Sequence, residues 1–146
     1  MKHARQVIRE AVETQLAGIA GVTLTRTRAY KVVDLPAISI YIDTEQSQGE
    51  NKDSINKSRT YSREANLVIE VVCEAVADFD NAVDDYTAQV EAAMGGDLTL
   101  GNKAVDSTLY ATTVDVDGGS DKPLVVAKIS YRVWYRTTAL DPENNL

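Results

Sequence analysis

The residues with the greatest catalytic potential are the single histidine, His3, and the single cysteine, Cys73. Nucleophilic catalysis by serine or cysteine needs an imidazole held beside the nucleophile, and His3 falls in the first turn of a terminal helical pattern. Cys73 falls in the apolar phase of a strand pattern, which predicts a buried, inert thiol. These two residues also do not supply the soft ligands of a zinc site. We predict no nucleophilic centre here and no zinc.

An acidic cluster opens the second helical pattern, and its members are Asp78, Asp80, Asp84 and Asp85. Such a cluster suggests calcium, but the calcium-loop pattern requires glycine at its sixth position and glutamate at its twelfth. Counted from Asp78, these positions hold Val83 and Gln89. Acids at a helix start also interact favourably with the helix dipole. We therefore predict a helix start and no metal site.

The remaining carboxylates do not form a catalytic pair either. Asp115, Asp117 and Asp121 surround Gly118-Gly119, where turns favour aspartate for backbone reasons. Glu70 and Glu74 share a strand face but lie roughly 13 Å apart at the usual rise, beyond either glycosidase spacing. The sequence contains no glycine-rich phosphate-binding motif. We predict no catalytic residues and no cofactor.

Charge is unevenly distributed along a chain whose net charge is −7. An acidic balance argues against a general nucleic-acid binder. The window 52–63 nevertheless holds four bases against one acid, and the bases are Lys52, Lys57, Arg59 and Arg63. Residues 70–85 hold six acids and no base. Opposite patches suit self-association or docking to a charged protein, although small domains also carry such patches by chance.

Aromatic residues near the C-terminus form a second candidate surface. Trp134 lies between Arg132 and Arg136 on the less apolar face of the last strand pattern. This composition is typical of protein interfaces; burial of Trp134 under a long loop is the alternative. Stacking on single-stranded nucleic acid is disfavoured by the acidic balance. We predict partner or oligomer contacts for these residues, the four bases, and Asp80, Asp84 and Asp85.

Length and composition indicate one domain over residues 1–146. A lone cysteine gives no internal disulfide, the N-terminal residues do not read as a secretory signal, and no apolar run approaches the roughly 20 residues of a membrane helix. From these features we expect a soluble protein inside the cell that makes it.

The residues that carry these groups fall into alternating helix and strand patterns. Residues 63–74 alternate apolar and mixed positions, which indicates a long strand with one face against a core. Helical spacing occurs at 2–16 and 78–94, with Asp78 as the N-cap of the second helix. Further strands are predicted at 22–30, 37–43, 108–117 and 124–137, the first of them at or near a sheet edge. The order predicts an α+β domain, a mostly antiparallel or mixed sheet of about five strands with two helices on one face.

Two segments lie outside these patterns. Residues 44–62 form a long polar connection, which we call the arm, and loops of this length in compact domains are usually functional or disordered. The arm is therefore the best single candidate for partner binding. The polar tail, residues 139–146, is expected to fray.

Several stretches together resemble the minor tail protein U family of tailed bacteriophages, the tail terminators. They are DLPAISIYI at 34–42, the polar arm, LVIEVV at 67–72, the acidic amphipathic helix, and YRVWYRTT at 131–138. The resemblance covers nearly the whole chain. Head–tail joining proteins of similar size remain an alternative family, and a small ligand-binding or enzymatic domain remains an alternative class.

The resemblance implies a non-enzymatic structural protein of the virion. It implies a ring, usually of six copies, that caps the tail tube, ends its polymerisation and offers a surface for head attachment. The implied partners are other copies of the chain, the major tail tube protein and the head–tail connector, with no membrane. The implied location is the head–tail junction, after assembly in the host cytoplasm.

Overall fold

The strand predicted at 63–74 lies at the centre of the sheet. The computed structural model describes residues 2–25, 35–50, 59–75, 77–117 and 123–145. Its elements follow the predicted order: α1 (Ala4–Leu16), β1 (Thr23–Thr25), β2 (Ala37–Glu50), β3 (Thr60–Glu74), α2 (Phe79–Gly95), β4 (Asp106–Asp117) and β5 (Leu124–Thr138). The predicted α+β class is confirmed.

The five strands form one sheet in the order β1-β2-β3-β5-β4. β1 is parallel to β2, and every other neighbouring pair is antiparallel. β1 lies at one edge, as predicted for the strand at 22–30; residues 26–34 lie outside the described residues. The sheet is therefore mixed, and β3 pairs with β5 along its whole length and with β2 from Thr60 to Val72.

Both helices pack on one face of this sheet, which we call the helix face. Their buried positions recur at helical spacing: Ala4, Ile8, Val12 and Leu16 in α1, with Val83, Val90 and Met94 in α2. They meet alternating rows of β3 and β5 in a single core cluster, because residues two apart on a strand share a face. Cys73 belongs to this core, as predicted, and burial raises its pKa.

The face of the sheet opposite the helices is less exposed to solvent than predicted. Val68, Glu70 and Val72 of β3 are each at most 5% exposed, although they lie on the face opposite the helices. Alternation alone predicted a mixed, partly solvated row. The centre of the sheet is therefore buried on both faces.

The helix starts differ from expectation at Asp78. This residue does occupy the N-cap position of α2, but its backbone is left-handed (φ 62°) and its side chain makes no capping hydrogen bond. His3 occupies the N-cap position of α1, where its Nδ1 accepts a hydrogen bond from the Arg5 amide at 3.1 Å. The lone histidine thus has a structural contact at a helix start.

The prediction that residues 44–62 form a loop is wrong for the part that the structure describes. β2 continues to Glu50, β3 begins at Thr60, and the two pair from Thr44–Asn66 to Glu50–Thr60. The same stretch of β3 pairs with the last residues of β5. The polar composition of this stretch has no apolar alternation, so it did not predict strands. The strands form because their backbone groups hydrogen-bond to the neighbouring strands.

The polar tail, which the sequence predicts to fray, makes hydrogen bonds through its described residues. The carbonyl oxygen of Pro142 accepts a hydrogen bond from the Ala4 amide at 2.9 Å. The side-chain oxygen of Asn145 accepts one from the Arg136 amide at 3.0 Å. The tail therefore joins the start of α1 to the end of β5.

Candidate interaction surfaces

A β-bulge in β2 brings a carboxylate onto the helix face. The register shifts between Ile42 and Thr44, and beyond it Glu45 lies opposite Ala65 of the core row. Because strand side chains alternate, one extra residue moves all later ones to the other face. Without the bulge, Glu45 would face away from the helices.

The Glu45 carboxylate is the centre of a charged cluster at the base of the arm, the Glu45 cluster. The Tyr135 hydroxyl donates to it, and the guanidinium groups of Arg63 and Arg5 lie 3.2 and 3.3 Å from it. Only 8% of the Glu45 side chain and 15% of the Arg63 side chain are exposed, against 45% for Arg5. Burial, with the Glu45 hydrogen bond and charge, raises the pKa of Tyr135.

Arg63 is used internally, although the sequence predicted it for partner contacts. Its Nε donates to Thr137 Oγ1 at 3.0 Å. Its guanidinium lies 5.6 and 6.0 Å from the ring centroids of Tyr61 and Tyr135. The side chain therefore ties the arm to β5, and a role for Arg63 in partner contacts stays a prediction.

The other arm bases divide into placed and unplaced residues. Arg59 is exposed just before β3, and its carbonyl oxygen accepts a hydrogen bond from Ala139 at 2.7 Å. Lys52 and Lys57 lie outside the described residues. The described part of the chain therefore does not present the four basic residues as one patch.

Arg132, Trp134 and Arg136 lie on the face opposite the helices. Arg132 pairs with Glu64 at 3.3 Å, and its guanidinium lies 3.9 Å from the Tyr110 ring centroid, a cation–π geometry. Trp134 is half-buried and lines an open depression of about 400 Å³ with arm residues. Aromatic and arginine side chains are thus accessible together, as an interface would use them.

The acids predicted for partner contacts lie on the solvent side of α2. Asp80, Asp84 and Asp85 are exposed, and one oxygen of Asp85 accepts a hydrogen bond from Gln89 at 2.9 Å. No lysine or arginine occurs in the α2 sequence. The helix therefore presents a negative surface, and its role in partner binding stays a prediction.

β4 is the exposed surface that sequence reasoning did not single out. Within it, Leu109, Tyr110, Val114 and Val116 are 43–59% exposed, and Ser107 alone is buried among residues 106–116. A second bulge, between Leu109 and Ala111, places Val114 and Val116 on the helix face. The alternation of this strand looks like that of a core strand, so the sequence carries no signal that the helices leave it uncovered.

Within the described residues, no group of three or more histidine, cysteine or acidic side chains could hold a metal ion. In the same part of the chain, neither helix is long and apolar enough to cross a membrane.

Comparison with known proteins adds little beyond this geometry. No protein-family model matches the sequence, and no curated protein matches it. Among solved structures, the chain is similar to one described as "Virion of native gene transfer agent (GTA) particle", with 14% identity and a TM-score of 0.41. The match covers 86% of this chain and 93% of that chain.

Proposed function

We propose that this chain is a structural virion protein that caps a phage tail tube as a ring of six copies. It ends tube polymerisation and offers the surface to which the head connector attaches. Its partners are other copies, the tube protein and the connector, and its place is the head–tail junction after assembly in the host cytoplasm. It works without catalysis and without a cofactor.

The observation that carries the proposal is the arm. The strands of the β2–β3 hairpin run on to Glu50 and Thr60, and their base is fastened by the Glu45 cluster. The connection between them carries Lys52, Lys57 and Arg59. A hairpin that is held at its base and whose connecting sequence is basic suits insertion between subunits. The sequence resemblance to tail terminators supports the same role.

In a cyclic ring each contact joins two different patches, one on each neighbour. The arm bases and the acids Asp80 and Asp84 of α2 form such a complementary pair of patches in our proposal. Arg63 is left out of the test, because its change would break the Glu45 cluster. Lys57→Glu with Arg59→Glu should abolish ring or tube binding, and adding Asp80→Lys with Asp84→Lys should restore it.

Lys103→Glu is the matched control, because Lys103 is exposed and lies outside the arm and α2. The control should assemble as the unmodified protein does. Normal assembly of the arm variant, measured by native mass spectrometry and by binding to tube protein, would refute the proposed patches.

Electron microscopy of phage lacking this gene tests the role itself. Loss of a protein that ends tube growth leaves overlong tubes. Normal tails beside separate heads would instead identify a head–tail joining protein, and intact particles would remove the virion role altogether.

A further inference from the structure

β4 is an exposed strand with one partner. It pairs with β5 along one edge, and no described residue pairs with its other edge. Leu109, Val114 and Val116 present apolar side chains on its helix face. An open edge beside exposed apolar side chains is a template for another strand, and strand addition to such edges is a common mode of recognition.

Pairing of β4 with β4 of a second copy is disfavoured by charge. Every charged residue in the β4 sequence is an aspartate. A two-fold antiparallel pair would bring the Asp106 end of one strand to the Asp115 end of the other. Like charges across a strand pair are destabilising. The surface that covers β4 must therefore be a different one.

The outer edge of β2 in the arm has the required properties. β1 pairs only with Ala37–Ser39, and no described residue pairs with the outer edge of residues 44–49. Their side chains are uncharged except that of Glu45, whose carboxylate is held by Arg63, Arg5 and Tyr135.

An open groove of about 300 Å³ borders this edge, lined by Arg5, Arg9 and residues 41–45. Arg5 already pairs with Glu45. Among the described residues, Arg9 has no ion pair. Asp43 also lines the groove, and its carboxylate accepts a hydrogen bond from Asn66 at 2.7 Å.

We propose that β4 of one copy adds, antiparallel, to the outer edge of β2 residues 44–49 in the next copy. The inference rests on the proposed function and deepens it by naming the subunit contact. β4 runs opposite to β2 within one copy, so rotation about an axis near the strand direction brings the two edges together antiparallel. The contact is head-to-tail, as ring closure requires.

The stagger of the two edges fits a closed assembly. β4 is centred level with Ile129 of β5, and residues 44–50 are centred level with Tyr135. Joining these two edges shifts each copy along the strand direction by about 20 Å relative to its neighbour, at the usual rise per residue. Across the sheet, the four strands of each copy span about 19 Å. The resulting strand tilt, about 45°, lies at the upper limit for closed sheets.

This alignment sets the register at the level of single residues. Thr113 comes opposite Gln46, both on the face away from the helices, and Asp115 comes opposite Thr44. Val114 then comes opposite Glu45, both on the helix face.

Disulfide trapping tests the contact. The double variant Gln46→Cys/Thr113→Cys, oxidised at assembly concentration, should give a ladder of covalent oligomers on a non-reducing gel. Each single variant should run as a monomer on the same gel, because the native cysteine, Cys73, is buried. Dimers from Thr113→Cys alone would show β4-on-β4 pairing and overturn the proposal. Absence of a ladder from the double variant, with oligomers still seen by native mass spectrometry, would also overturn it.

A charge swap gives a second readout that a merely misfolded variant does not reproduce. Gln46→Lys with Thr113→Lys should remove the oligomer, because the two lysines come opposite each other, whereas Gln46→Lys with Thr113→Glu should keep it. Val114→Glu should also remove the oligomer, because it comes opposite Glu45, whereas Leu140→Glu, at an 86% exposed position in the tail, should not. An unchanged oligomer in Gln46→Lys/Thr113→Lys and in Val114→Glu refutes this contact alone. A wild-type chain that stays monomeric, alone and with tube protein, refutes the ring and this contact together.

Discussion

The two strands that a bulge redirects, β2 and β4, end in opposite situations. In β2 the bulge turns Glu45 inward, where Arg63, Arg5 and Tyr135 hold it. In β4 the bulge turns Val114 to the helix face, where no helix covers it. One edge buries a charge and the other exposes apolar surface. The comparison teaches that the arm is stabilised within the monomer, while the exposed surface of β4 is free for another copy.

The largest effect on monomer stability is expected from Arg63→Ala. Its loss leaves the Glu45 carboxylate with Arg5 and Tyr135 in a site that is nearly closed to water. Removing one partner of a buried ion pair costs about 3 kcal/mol, and the remaining partners should reduce this to about 2 kcal/mol. Arg5→Ala, at the exposed side of the same carboxylate, should cost less than about 1 kcal/mol. Urea unfolding measures both, and equal costs would contradict the view that burial decides.

A smaller effect is expected from Tyr135→Phe. It removes one hydrogen bond to Glu45 and keeps the buried ring, so the free energy of unfolding should fall by about 1–2 kcal/mol. Burial, with the Glu45 hydrogen bond and charge, raises the folded pKa of Tyr135. The neutral phenol therefore stabilises the fold below the unfolded pKa, and this contribution is lost as pH rises above it. If the phenylalanine variant were as stable as the wild type, the hydrogen bond to Glu45 would not contribute to stability.

The smallest effect is expected at His3. Burial first, then the charges of Arg5 and Arg63, lower its folded pKa below 6.5. The unfolded chain then binds the proton more readily, so stability should fall as pH drops through about 6.5. His3→Asn, which keeps a capping side chain, should show a weaker fall in melting temperature between pH 7.5 and 5.5. An identical fall in both proteins would remove His3 as a cause.

Most of the architecture could be predicted because it depends on side-chain periodicity. The alternation in β3 and the three-to-four spacing of Val83, Tyr86, Val90 and Met94 predicted the sheet, the second helix and the core face. The strands inside the arm escaped prediction because their side chains are polar and their pairing is long-range. Strand propensity depends on such context.

The interaction surfaces were predictable only in part. Exposure of Asp80 and Asp84 followed from their place outside the apolar stripe of α2. The inward position of Arg63 follows the alternation of β3 with Ala65. The inward position of Glu45 depends on a bulge that composition does not reveal. Exposure of β4 depends on where the helices stop across the sheet. The last two are tertiary facts rather than local ones.

The most direct test of the central claim, that this chain acts through contacts with its own copies, is native mass spectrometry with increasing protein concentration and with tube protein added. The account predicts a closed species at six times the 15.9 kDa subunit mass, absent in Gln46→Lys/Thr113→Lys and present in Gln46→Lys/Thr113→Glu. A single monomer peak under every condition would contradict it.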